Sequence, residues 1–237
     1  MLPKSLLKQI AQLGQKKFRD QRDLFIVEGR KSVLDFVNQG WKYEGIYTTD
    51  SNVTILTDRV SEKEMERMSQ MKTPSPMLGV FRKAAPVSIP EKQTIIVLDG
   101  IRDPGNLGTI IRQASWFGLQ HIVCSKETVD AYNPKVVQAS MGGLARVAVH
   151  YLDLVSFLTK AACPVYGMSL DGTPLPSIAF RQPAYLVFGS ESHGIAPKIE
   201  EILTTKVCIP PLHPNAVESL NVASASAIVL AHCLGRF

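Results

Sequence analysis

The sequence predicts an α/β protein of two modules, a small mixed one followed by a larger domain built on a mostly parallel sheet. Three observations predict it. From about residue 94 short β-branched runs alternate with helical periodicity, a Pro- and Ala-rich stretch without periodicity covers 83–92, and the excess positive charge lies wholly on its amino-terminal side. A chain of 237 residues with 45% hydrophobic and 20% charged content has enough apolar surface for one large or two small cores.

In the first module, apolar periodicity places a helix near 3–14, a strand at 24–28 and a helix near 30–39. Strands near 43–48 and 53–56, a helix near 61–70 and a strand near 77–82 follow. Residues 1–85 are read as this module and 86–93 as a linker, leaving 94–237 as the larger domain. There, strands at about 94–99, 120–124, 147–151, 164–169, 184–188 and 206–209 alternate with helices at about 104–117, 133–139, 152–161, 195–203 and 219–234. Such alternation implies parallel strands with helices on both faces.

Composition removes several classes. No apolar run approaches the roughly 20 residues that span a bilayer, and the start Met1-Leu2-Pro3-Lys4-Ser5 has no signal-peptide core, so the cytoplasm is the expected location. Cys124, Cys163, Cys208 and Cys233 form no Cys-x-x-Cys pair and are read as buried thiols, with no metal site expected. Residues 1–85 carry 15 Lys and Arg against 10 Asp and Glu, whereas 86–237 carry 11 of each. That asymmetry points to a polyanionic partner for the first module, through Lys16, Lys17, Arg19 and Arg22, with Arg30 beside the strand that follows.

Three loops at strand ends carry the chemistry. The first, Asp103-Pro104-Gly105-Asn106-Leu107-Gly108, offers an N-cap and a first-turn proline to a helix burying Leu107, Ile110, Ile111, Ala114 and Phe117. Asn106 stands at that helix start, and Arg112, about 140° around the helix from Leu107, is off the apolar stripe and free to point at the sheet's carboxyl edge. A phosphate-binding P-loop would need Lys where Asn106 stands, and no Gly-x-Gly-x-x-Gly follows the strand. The second loop, Gly189-Ser190-Glu191-Ser192-His193-Gly194, offers Glu191 between glycines that permit close backbone approach. It also approximates a nucleophile elbow with Ser192, though Ser190 replaces the elbow's first glycine and only His213 and His232, the latter read as a core histidine, follow it. The third, Ser219-Leu220-Asn221-Val222-Ala223, opens the last helix, with Ser219 read as its N-cap and Asn221 in its first turn.

In order and spacing these loops resemble the three motifs of the SpoU family, the TrmH-like RNA ribose 2′-O-methyltransferases of the SPOUT superfamily. The resemblance implies a trefoil-knotted parallel-sheet domain over 94–237 that binds S-adenosyl-L-methionine, preceded by a ribosomal-protein-like RNA-binding domain. It implies catalytic roles for Asn106, Arg112, Glu191, Ser219 and Asn221. Leu170, Phe188, Gly189, Ser190, Gly194, Ile209, Leu220 and Ala223 match positions around the family's cofactor. Ala139 to Val147 is similar to the family's segment between its first two motifs, and Phe25 to Val33 to its RNA-binding extension. Two departures stand out: Leu212-His213-Pro214-Asn215-Ala216 replaces a shorter glycine-containing turn, and Ser192 stands where glycine is common. The implied partners are a structured RNA, ribosomal before transfer, and a second copy of the chain. RNA binding without catalysis, and a serine hydrolase using Ser192, are the alternatives.

Overall fold

The computed structural model describes residues 2–51, 53, 55–213 and 217–235. The amino-terminal module runs α1 (Lys4–Gln12), α2 (Lys16–Arg22), β1 (Leu24–Glu28), α3 (Arg30–Asn38), β2 (Tyr43–Thr48), β3 (Asp58–Arg59), α4 (Glu62–Met68) and β4 (Met77–Arg82). Its sheet has the order β1-β4-β2-β3, with β4 antiparallel to both neighbours and β3 parallel to β2. Period-two alternation divides β1 between two cores. Ile26 joins Leu7, Ile10, Met65 and Met68 under α1 and α4, whereas Phe25 and Val27 join Phe36 and Phe81 in a cluster that continues into the larger domain. Ser61 and Glu64 close α4 with a capping box, the arrangement their spacing encodes.

The larger domain runs β5 (Ile95–Leu98), α5 (Pro104–Trp116), β6 (His121–Cys124), α6 (Pro134–Ala139), β7 (Ala148–Tyr151), α7 (Leu154–Leu158), β8 (Val165–Pro174), β9 (Tyr185–Phe188), α8 (Pro197–Glu200), β10 (Thr205–Cys208) and α9 (Val222–Cys233). All its strands are parallel, in the order β10-β8-β9-β5-β6-β7. Strands β5, β6 and β9 are buried along their whole length, as β-branched strands covered on both faces must be. The chain builds outward from β5 through β6 to β7, crosses to β8, returns inward to β9 beside β5 and ends outermost at β10, so the carboxyl ends of β5 and β9 lie where the strand order changes direction, the kind of place where open α/β sheets bind ligands.

Several expectations are corrected. The apolar run at 53–56 forms no strand at Val53, Ile55 or Leu56, and Thr54 lies outside the described residues. Val53 and Ile55 instead pack on the main core while the chain crosses over to pair β3 with β2. The basic cluster at 16–22 is itself a helix. Helix α9 begins at Val222 with Asn221, not Ser219, as its N-cap. Cys163 and Cys208 are only half-buried. His232 is exposed rather than packed in a core, because positions 224, 228 and 232 share the outward stripe of α9. Among the described residues no helix is long and apolar enough to cross a membrane.

Candidate functional site

Each of the three loops is held in place by its own local chemistry. At α5, the Asp103 carboxylate accepts from Asn106 N at 2.8 Å, with Pro104 following in the first turn. After β9 the chain turns back so tightly that Ser190 and Gly194 exchange backbone hydrogen bonds of 3.0 and 2.9 Å. A Cβ at Gly189 would lie 2.1 Å from the Gly194 carbonyl carbon, so only glycine fits there. Asp99, at the end of β5, accepts from Ala196 N at 2.8 Å and ties this loop to its neighbouring strand. At α9 the Asn221 side-chain oxygen accepts from Ala223 N and Ser224 N at 2.9 and 3.3 Å. Asparagine and serine are comparable N-caps, so residue type alone does not choose between Asn221 and Ser219.

The side chains then meet. Asn106 donates through Nδ2 to Glu191 Oε1 and accepts at Oδ1 from Asn221 Nδ2 at 2.9 Å, so one amide joins all three loops. Two partners 85 and 115 residues away satisfy it. Glu191 also lines a cavity of about 460 Å³, whose apolar wall includes Met168, Phe188, Ile195 and Ile209. Of the eight positions matched to the cofactor, Leu170, Phe188, Gly189, Ser190, Gly194, Ile209 and Leu220 line this cavity. Ala223 does not: it is buried, and its carbonyl accepts from Gln113 Nε2 at 2.8 Å across the α5–α9 seam. Ser219 is exposed on the cavity wall. Arg112 lies on the exposed face of α5, outside the cavity and without an ion-pair partner among the described residues.

Among the described residues the charged lining of the cavity is Glu191, Glu200 and Glu218, with His193 and no lysine or arginine. Lys206 pairs with Glu200 at 3.0 Å from outside. The Ser169 hydroxyl beside Asp171 holds that carboxyl below its usual range, keeping a further negative charge next to Leu170. An apolar cleft of this size with acidic edges suits a nucleoside-sized ligand carrying positive charge, and a sulfonium nucleoside such as S-adenosylmethionine meets both conditions. Met168, His193, Glu200 and Glu218 were not expected from sequence, because no local pattern marks a residue that merely faces a cleft. Ser192 Oγ does contact His193 Nδ1 at 2.7 Å, but no carboxylate bonds that ring among the described residues, so a hydrolytic triad is not assembled.

The expected RNA-binding residues fare differently. Arg19 is 2% exposed and bonded to Asp130, so it is not a surface phosphate contact. Arg22 donates to Gln9 O and Gln12 Oε1 and stacks over Phe18, Lys16 pairs with Asp20, and Arg30 with Asp50. Lys17 alone of the five is exposed with no partner among the described residues. Local charge counting cannot see partners that folding brings in.

Known proteins resemble this chain over both of its modules. The model of the SpoU rRNA methylase family matches residues 93–231, and that of the MRM3-like substrate binding domain matches 4–79. The chain is 29% identical to the 23S rRNA (guanosine(2553)-2′-O)-methyltransferase RlmP of Bacillus subtilis (strain 168), over 97% of this chain and 96% of that protein. It is 30% identical to the mitochondrial rRNA methyltransferase 3 of Mus musculus, over 90% of this chain and 68% of that one. A solved TrmH-family structure from Porphyromonas gingivalis superposes with a TM-score of 0.90 at 35% identity, covering 100% of both chains. The AdoMet-bound rRNA methyltransferase of Sinorhizobium meliloti superposes with a TM-score of 0.88 at 28% identity, over 100% of this chain and 96% of that one. The chain belongs to the SpoU rRNA methylase family.

Proposed function

We propose that this protein transfers a methyl group from S-adenosylmethionine to a ribose 2′-hydroxyl of a folded RNA, ribosomal before transfer, in the cytoplasm. One observation carries the reading: Asn106, Glu191 and Asn221 are bonded into a single cluster beside a cavity whose unpaired charge is acidic. The division of labour is residues 1–85 for anchoring RNA, 86–93 as connector and 94–237, threaded as the family's trefoil knot, for catalysis.

The cofactor, when bound, supplies the methyl group on a cationic sulfonium. Glu191 and Glu218 complement that charge, while the glycine-tight turn at 189–194 lets backbone groups approach the ligand. Asn106 and Asn221, locked by mutual bonding, hold the loops so that the target hydroxyl lies in line with the methyl, and positioning of this kind supplies much of the rate. Ser219 orients the ribose at the cavity wall. Arg112 offers a planar guanidinium of fixed donors, which clamps a phosphate and stabilises the negative charge developing on the 2′-oxygen. The hydroxyl proton leaves to a phosphate oxygen or to water.

A second copy of the chain completes the assembly. Trp116 on α5 is 85% exposed and Ile228 on α9 is 42% exposed, apolar surface on the two helices that flank the site. Burying it between copies is the favourable course. Trp116→Ala should shift sedimentation from dimer to monomer at micromolar concentration.

The test of function is transfer of a labelled methyl group to ribosomal and transfer RNA, with mass mapping of the ribose modified. Saturable cofactor binding by calorimetry without transfer to either RNA would leave an RNA-binding protein without catalysis.

A further inference from the structure

The most deeply buried arginine among the described residues sits between the two modules. The Arg19 guanidinium donates to Asp130 Oδ2 from Nε at 3.1 Å and from Nη2 at 2.7 Å, and from Nη1 to the Leu13 and Gly14 carbonyls at 3.0 and 2.9 Å. Asp130 Oδ1 accepts from Tyr132 N at 3.1 Å. One side chain thus ties the end of α1, helix α2 and the loop after β6. A charge pair so desolvated adds little stability over an apolar pair, and what it can contribute is a single fixed arrangement.

Other contacts run in parallel. Phe25 packs on Tyr132 with ring centroids 4.7 Å apart, Trp41 Nε1 donates to Ala145 O at 3.0 Å, and Arg146 pairs with Asp35 at 2.8 Å. The first module is seated on the larger domain rather than strung from it. From Asp130 a short run of bonds reaches the site. Val129 N donates to Ile101 O at 2.9 Å and Gly100 N to Ser125 Oγ at 3.0 Å, fixing the stretch that ends in Asp103, the N-cap beneath Asn106. The Tyr151 hydroxyl braces the same loop, donating to Val129 O at 2.6 Å and accepting from Ala131 N at 2.7 Å.

We propose that Arg19, through Asp130, is a positioning residue: it fixes the separation between the RNA-anchoring module and the Asn106 cluster, so that the nucleotide modified is chosen by reach across a folded RNA. This rests on the function proposed above and narrows its substrate. An RNA must present an anchoring element and the target ribose at one set separation, which a short single strand carrying only the target does not do.

The experiment uses the full chain carrying Arg19→Met together with Asp130→Asn, which removes both charges so that neither is left buried alone. Wild type is compared on the same ribosomal RNA, with Lys160→Ala, an exposed residue past the end of α7, as a surface control. In the double variant cofactor affinity should be unchanged and the KM for RNA should move little. The kcat should fall on the order of 10²-fold, the loss that follows misplacement by about 1 Å. Mass mapping should find methyl groups on nucleotides flanking the wild-type target, and small-angle scattering should give a larger radius of gyration. A single modified nucleotide at wild-type kcat overturns the proposal. So does a loss of kcat and cofactor affinity together that follows the fall in Tm, the mark of a merely structural pair. Wild-type protein inert towards RNA overturns the function and this role with it, and the scattering comparison separates that failure from a failure of the junction.

Discussion

Two polar clusters in this molecule use their side chains to opposite ends. Around α2, Lys16, Arg19 and Arg22 are consumed by partners within the protein, and of the four only Lys17 is exposed without a partner among the described residues. Around the starts of α5 and α9, Asn106, Glu191 and Asn221 are also bonded to one another, yet they flank a cavity and leave Ser219 and Arg112 without partners among the described residues. The first cluster spends charge on holding elements together. The second spends hydrogen bonds on holding reactive groups still. Polarity at a surface therefore says little about function until its partners are known, whereas polar groups satisfied at the edge of a cleft are pre-organised for a ligand.

The sharpest way to break this contrast is Arg112→Ala. Turnover should fall by about 10²–10³, as on removing one donor to a developing oxyanion. Cofactor affinity by calorimetry should hold, since Arg112 does not line the cavity. Near-full turnover in the variant would remove Arg112 from the chemistry.

Asn221 allows its two roles to be separated. Asn221→Ala should cost about 1 kcal/mol through the lost cap of α9, visible as a lower Tm, and should weaken both cofactor binding and turnover. Asn221→Ser restores a cap without reaching Asn106, so Tm should recover while turnover stays low. Recovery of both would make Asn221 a cap and nothing more.

In the first cluster the expected effects are smaller. Lys17→Ala should flatten the log–log salt dependence of RNA binding by about 0.7 to 0.9, one phosphate contact, whereas Lys16→Ala should leave the slope nearly unchanged because Asp20 already holds that ammonium. Equal slopes for both variants would mean the ion pair yields to RNA.

The smallest effect concerns the α4 cap. Bonds from the Ser61 backbone, the Ser61 hydroxyl and the Leu2 backbone hold the Glu64 carboxyl down at about 2, from 4.5. Because the folded value is depressed, the stabilisation is complete above about 4.5 and is lost as pH falls towards 2. Thermal melts should show wild type more stable than Glu64→Gln at pH 6, with the gap closing as acid protonates the carboxylate. A gap independent of pH would remove this assignment.

Much of this was legible in the chain itself. The β-branched runs before residues 99, 125 and 189, the Asp103-Pro104 start of α5, and the Ser61-x-x-Glu64 box each encode their local structure within a few residues. The three loops could be placed at strand ends, and seven of the eight positions matched to the family's cofactor line one cavity because strand-end loops share one edge of a parallel sheet. The rest depended on residues far apart in sequence. Arg19 looked like a phosphate contact until folding placed Asp130, 111 residues on, against it. The run 53–56 had strand character, but tertiary packing used Val53 and Ile55 as core side chains and gave the pairing to Asp58 and Arg59. His232 sat in an apolar helix whose outward stripe only the position of α5 defines. Capping and periodicity are set by neighbours within a turn or two, so sequence alone determines them; which charge is neutralised, and which face is buried, is set by whatever the closed fold brings alongside.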